Sequence, residues 1–382
     1  MLLVPAPHST STRRPLPRGP LIVGALLVVL ALIVVFAVGR LTLAAADAAS
    51  AAAPAVGTRI LASSTSTAAR ASVSGGGARE TAAADWLARQ PTTVWLTPEG
   101  DPIDAVHDRV VRLADEARGQ DAALSVAVYG LPDRDCGSHS TGGLDPEDYA
   151  EWTSRIGRAL ASAAGLQKIV ILEPDSVALS PSCGSLTERA GYLRTAVDNL
   201  SGPGTWIYID AGNSAWHPAE EMAELLRATG LLSSVRGVAL NVSNYQDTAS
   251  EFAYAHELSD LLGGTHAVID TSRNGAGPAG AQWCNPAGRR VGSEGGSYGD
   301  GVVDTNLWIK PPRRKRRRVQ RWPRGRCVVA GCRHRVDERA RLTRTPGGLR
   351  REMCQDCARR YATPRLGGEC GRESANAEEW VR

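Results

Sequence analysis

Seven short apolar runs rich in β-branched residues recur through the middle of the chain, each set off from the next by a longer polar or amphipathic stretch. They read TTVWL (92–96), ALSVAVYG (123–130), KIVILEPD (168–175), TWIYIDAG (205–212), GVALNVSN (237–244), HAVIDTSRNG (266–275) and TNLWIK (305–310). Runs of this length and composition suit strands. Between several of them, PEDYAEWTSRIGRALASAAG, SLTERAGYLRTAVDNL and PAEEMAELLRATG carry apolar residues at i, i+3 and i+4 with charges on the opposite face, which is the helical period. A strand followed by a crossover helix pairs in parallel with the next strand, with right-handed connections, and the resulting sheet is buried on both faces.

Nearly every run ends in polar residues: Asp135 just past the second, Asp175, Asp210, Asn241 with Asn244, Asp270 with Arg273, and Lys310. In a (β/α) barrel those C-terminal strand ends converge on one mouth, where a substrate sits. An open doubly wound sheet is the competing architecture, but it usually carries a Gly-rich phosphate loop after its first strand, and this chain has none there. The α/β barrel is therefore the expected fold.

The mouth would hold three carboxylates, in RDCG (Asp135), LEPDS (Asp175) and IDAGNSAW (Asp210). Cleavage of a glycosidic bond with inversion needs one acid to protonate the leaving oxygen and a second carboxylate to activate water on the other face. Burial or a neighbouring carboxylate keeps the first protonated near neutral pH, and Asp135 with Asp175 could form such a pair. The competing reading makes each Asp only the cap of the following helix. The chain has 9 Trp but 2 Phe; indoles near strand ends, Trp95, Trp216 and Trp283, offer flat apolar faces for sugar rings, whereas Trp152, Trp206 and Trp308 read as core. Cys136 and Cys183 follow neighbouring strands and are expected to pair in an oxidising compartment; two buried free thiols are the alternative.

In order and spacing, VYGLPDRDCG, ILEPDSVAL, IYIDAGNSAWH, LNVSNY, VIDTSRNGAGPAG, QWCNPAGR and LWIKPP resemble the family 6 glycoside hydrolases, actinobacterial endoglucanases and cellobiohydrolases. The resemblance implies a distorted β/α barrel and inverting hydrolysis of β-1,4-glucosidic bonds in cellulose or related β-glucans, with no metal and no cofactor. It makes Asp175 the general acid, Asp135 the aspartate that supports it, and Asp210 a third cleft carboxylate. Tyr129 matches the tyrosine beneath the reacting sugar; Trp95, Trp216, Asn241, Trp283 and Lys310 match glucose-subsite residues; Cys136 with Cys183 matches a family disulfide. Asn213 stands where the family usually has His. A non-catalytic glucan-binding protein is the alternative function.

The two ends of the chain read differently from this body. Leu21 to Val38 is an uncharged apolar run preceded by Arg13, Arg14 and Arg18, long enough for one membrane span with the N-terminus inside; an export signal cleaved within the following Ala-rich segment is the alternative. Ala, Ser, Thr and Gly dominate from there to Arg79, the composition of a flexible stalk. At the other end, residues 313–382 hold 21 Lys+Arg against 8 Asp+Glu within a chain of net charge +4. Here the resemblance calls for a Gly-Glu-Ser-Asp-Gly type sequence whose aspartate is the candidate base. Permitted codons for Arg313 to Trp322, read one nucleotide later, give Gly-Glu-Ser-Asp-Gly-Glu-Cys-Asn-Gly-Gly, so a frameshift at Pro312, real or a sequencing error, is inferred. The basic run and the Cys327/Cys332 and Cys354/Cys357 pairs, otherwise suggestive of nucleic acid or zinc, then become accidents of the wrong frame. The expected organisation is a cytoplasmic segment (1–20), an anchor (21–39), a linker (40–80), a catalytic domain (81–312) lacking its C-terminal end, and a disordered out-of-frame tail (313–382). The protein is expected to be a monomer, held at the cell membrane with its catalytic domain outside or else secreted, that binds β-glucan and no nucleic acid.

Overall fold

Strand–helix alternation is realised as a single curled sheet. The structure, a computed structural model, describes residues 23, 26–40, 51–74, 77–137, 140–184, 186–280 and 282–312. The expectations for residues 1–20 and 313–382 lie outside them. Seven parallel strands run in chain order: β1 (Val94–Leu96), β2 (Leu124–Val128), β3 (Lys168–Leu172), β4 (Thr205–Asp210), β5 (Gly237–Leu240), β6 (His266–Asp270) and β7 (Val303–Leu307). In the same numbering the helices are α1 (26–40), α2 (Thr67–Val73), α3 (Ala78–Ala88), α4 (Ile103–Gly119), α5 (Pro146–Ser162), α6 (Ser180–Cys183), α7 (Leu186–Leu200), α8 (Ala219–Thr229) and α9 (Thr248–Leu262). The sheet curls until its ends meet: Thr93 N donates to Trp308 O at 2.9 Å, just past β7. This is the distorted α/β barrel.

Period-two alternation sorts each strand between two cores. Val126, Val128, Val170, Leu172, Ile207, Ile209, Leu240 and Ile269 pack outward against the helices. Ala127, Ile169, Ile171, Tyr208, Ala239, Val268 and Leu307 fill the barrel interior. Asp210 lies two residues beyond Tyr208 and Asp270 two beyond Val268, so both carry the inward side of their strands to the C-terminal end. The helices start and stop on local chemistry: Asp145 and Asp247 accept from Asp148 N and Ser250 N as N-caps of α5 and α9, and left-handed Gly230 and Gly263 end α8 and α9. Only a glycine fits at position 157, where a Cβ on α5 would lie 1.8 Å from Asn199 O on α7.

One expectation about the N-terminal part changes. The stalk does not reach residue 80: Ile60 forms a parallel bridge with Ala123, Leu61 is fully buried, and Ser64 N donates to Glu116 Oε1 at 2.6 Å. A few large apolar residues suffice because they add to an existing sheet edge, which composition averaged over the segment hides. In α1 the apolar side chains are exposed, and among the described residues no helix is long and apolar enough to cross a membrane.

Candidate active site

The connections after β2 and β3 carry the principal carboxylates. After β2 the backbone turns sharply, with Asp133, Asp135 and Cys136 all at positive φ. Asp135 is held there by two donors: Tyr129 OH to Oδ1 at 2.7 Å and Ser140 N to Oδ2 at 3.1 Å. Beside β3, Glu173 and Asp175 also have positive φ, and Asp175 N donates to Asp210 Oδ1 at 3.0 Å. A disulfide joins Cys136 to Cys183 on α6, with Cα atoms 5.7 Å apart, so the two loops are covalently tied as the sequence led one to expect.

Asp175 is the chemically prepared member. Burial and the neighbouring Asp135 charge push its carboxyl up to about 7, against an opposing pull from Lys310 and Arg273. An acid with that value is largely protonated at pH 6 and can donate. Tyr129, between the two aspartates, is held as the neutral phenol by burial and by both negative charges. Arg134 lies 4.5 Å over its ring and forms an ion pair with Glu99 at 2.8 Å.

Aromatic and cationic side chains form the wall. Trp95 meets Tyr129 edge-on at 5.2 Å, donates Nε1 to Ile309 O at 2.8 Å, and has the Lys310 Nζ 3.7 Å above its ring. Trp95, Tyr129, Asp135, Asp175 and Lys310, dispersed over the sequence, thus share one neighbourhood. Trp216 packs toward the turn after β3, where both it and Ala178 lie within 3.3 Å of where a Gly212 Cβ would be. Its neighbour His217 donates Nε2 to Ala178 O at 2.8 Å, linking that loop to the Asp175 turn. Trp283 is half-exposed on the long β6–β7 connection.

Two expected sugar contacts are structural instead. Asn241 is fully buried at positive φ, its amide donating to Gln246 O and Asp270 O and accepting from Gln246 N, so it braces the β5 turn. Asp210 is fully buried as well, and its Oδ1 accepts from Asp175 N and Gly212 N. Burial and the Asp175 charge raise its carboxyl well above the usual range. Strand-end position was visible in the sequence, but depth below the mouth was not.

Residues that the sequence reading left out of the site complete the frame. Asp270 accepts from Ser272 N, Ile309 N, Ser243 N and Lys310 N, lacing β5, β6 and β7 together. Glu173 accepts from Gly130 N, Leu131 N and Tyr149 OH. Arg273 contributes positive charge at Asp175, donates to Ser243 O and stacks 4.5 Å over Tyr245. Asp270 and Arg273 were visible as polar strand ends and Glu173 as the acid two residues before Asp175. No cluster of His, Cys, Asp and Glu fit to hold a metal occurs among the described residues. A hollow of about 360 Å³ at the opposite end of the barrel, beside Trp206 and Arg236, has no carboxylate in its lining.

A β/α barrel whose mouth sets a protonated carboxyl beside a second carboxylate, under an aromatic wall, is the framework of a glycoside hydrolase. Residues 57–314 match the model of glycosyl hydrolases family 6, and the chain belongs to that family. It is 38% identical over 229 residues to Endoglucanase A of Cellulomonas fimi, covering 59% of this chain and 49% of that protein. To Endoglucanase 1 of Streptomyces sp. (strain KSM-9) it is 37% identical over 239 residues, covering 60% and 65%. The chain thus spans about half to two thirds of the length of these relatives. Among solved structures, endoglucanase Cel6 from Mycobacterium tuberculosis, in complex with a thio-linked methyl cellobiosyl-cellobioside, matches with a TM-score of 0.62 and 36% identity, covering 68% of this chain and 89% of that one. The catalytic core of cellobiohydrolase Cel6A from Chaetomium thermophilum matches with a TM-score of 0.57 and 26% identity, covering 67% and 84%.

Proposed function

We propose that this barrel is a glucanase that hydrolyses β-1,4-glucosidic bonds of cellulose-like chains with inversion, Asp175 acting as the general acid and Asp135 supporting it. The carrying observation is the Asp175 carboxyl, held protonated to about pH 7 beside Asp135 in a mouth walled by Trp95 and Tyr129. Asp175 delivers its proton to the leaving oxygen as the bond breaks. Water attacks from the opposite face and needs a base. The match to the family model ends at residue 314, just after the basic run opens at Arg313, and this supports loss of the base-bearing segment through a frameshift at Pro312.

The Cys136–Cys183 disulfide suits an oxidising compartment and supports a catalytic domain outside the cell, secreted or carried on a single-pass N-terminal anchor. We propose further that the body acts as a monomer. Endo action is favoured, on the names of the bacterial relatives.

The test is a pair of proteins, the chain as it stands and a form with the frame restored at Pro312, assayed on carboxymethylcellulose and barley β-glucan. The restored form releases reducing ends and its Asp175→Ala variant does not; full activity in that variant would remove Asp175 from the role. Retardation on glucan gels without product from the restored form would favour the binding-only reading.

A further inference from the structure

The Asp135 and Asp175 loops are joined at two levels. The outer tie is the disulfide from Cys136 to Cys183. The inner one is Glu173. It leaves β3 two residues before Asp175, and its carboxylate reaches across to the chain leaving β2: Gly130 N lies 3.0 Å from Oε1 and 3.1 Å from Oε2, and Leu131 N lies 3.1 Å from Oε2. Those two amides directly follow Tyr129, the residue that holds Asp135. Tyr149 OH on α5 donates to Oε1 at 3.0 Å and completes the set. Glu173 is 1% exposed and Tyr149 fully buried, so neither meets a sugar.

We infer that Glu173 is a positioning residue that fixes the separation of Asp135 from Asp175 by clamping the Gly130–Leu131 backbone to the Asp175 turn. Everything that meets its carboxyl group is a donor, and an ionised carboxylate, which only accepts, matches three donors. The charges around it are few: Arg134 favours the anion, Tyr149 donates from α5, and burial opposes ionisation strongly enough to place the group at about 7. Both neighbours of the clamp act on Asp175 through geometry. If the amides move away, Asp135 moves with them, and water enters beneath Asp175. Its two raising influences, burial and the Asp135 charge, then weaken together.

The inference rests on the Asp175 assignment but is tested without turnover. In the full chain, ¹³C-carboxyl labelling of aspartate reports the titration of Asp175, assigned by the signal missing from Asp175→Asn. Glu173→Asp keeps the charge and shortens the reach; the Asp175 midpoint is expected to fall by at least one pH unit, a tenfold change in its proton affinity. Tyr149→Phe, which removes one donor and preserves packing, shifts it in the same direction by less and decides the matter if Glu173→Asp does not fold. An unchanged midpoint in the folded variants overturns the clamp. If the midpoint falls yet the frame-restored protein cleaves no glucan, the clamp stands and the hydrolase reading fails.

Discussion

Glu251→Gln should stabilise this protein at alkaline pH and leave it nearly unchanged at acid pH. Glu251 lies on α9, fully buried, with Ser214 N donating to Oε1 at 3.0 Å and no hydrogen-bond partner for Oε2 among the described residues. Burial lifts its carboxyl from an ordinary 4.5 to about 7, only partly offset by the Ser214 contacts. Below pH 4.5 the group is neutral in both folded and unfolded chains. Between 4.5 and 7 the unfolded chain gives up its proton first, so stability falls as pH rises and levels off above 7. At about 1.4 kcal/mol per pH unit, the loss from this one group is roughly 3 kcal/mol. Glutamine copies the neutral acid: its carbonyl still accepts from Ser214, and it has nothing to ionise. Urea unfolding of parent and variant at pH 4 and pH 8 measures the difference, expected to be within ~0.5 kcal/mol at pH 4 and to favour the variant by up to ~3 kcal/mol at pH 8. A variant less stable than the parent at pH 8 would refute the claim that burial raises the Glu251 carboxyl in the folded state.

The remaining expectations concern the mouth. In the frame-restored enzyme Asp175→Asn should lower turnover of unactivated cello-oligosaccharides by ~10²–10⁴, and far less for a dinitrophenyl cellobioside, whose leaving group needs no proton; equal losses on both would argue against an acid role. Lys310→Met removes a positive charge that lowers Asp175, so the alkaline limb of the pH–rate profile should move to higher pH; a move to lower pH would contradict the assignment. Cys136→Ser with Cys183→Ser opens a loop of 47 residues' separation and should cost about 2–4 kcal/mol in denaturant unfolding, a loss that reductant should reproduce in the parent but not in the variant.

The acid role of Asp175 and the place of Tyr129 came from the family resemblance, but the barrel was legible from position: a polar residue ending a β-branched run in a βα repeat faces the mouth, and this rule set Asp135, Asp175 and Lys310 together, as the structure does. It misplaced Asn241 and Asp210, which the same rule puts at the mouth but which the fold buries to accept backbone amides. Glu173 was passed over because nothing local separates an acid that touches sugar from one that touches Gly130 N. The N-terminal segment was read as a stalk because its composition is poor in large apolar residues, yet Ile60 and Leu61 are enough when an open edge and a formed core receive them.

By itself the sequence determined the order and direction of strands and the face on which each side chain emerges, because the periods of two and 3.6 residues follow from covalent geometry. It also carried the family, because the motif spacings survive in it. Tertiary structure alone decided which carboxyl groups share a space, how deeply each is buried and therefore which one keeps its proton. Those properties come from burial and from charges brought close by folding, which distance along the chain does not encode: Asp175 owes its raised value to burial and then to Asp135 forty residues before it, against Lys310 far beyond it.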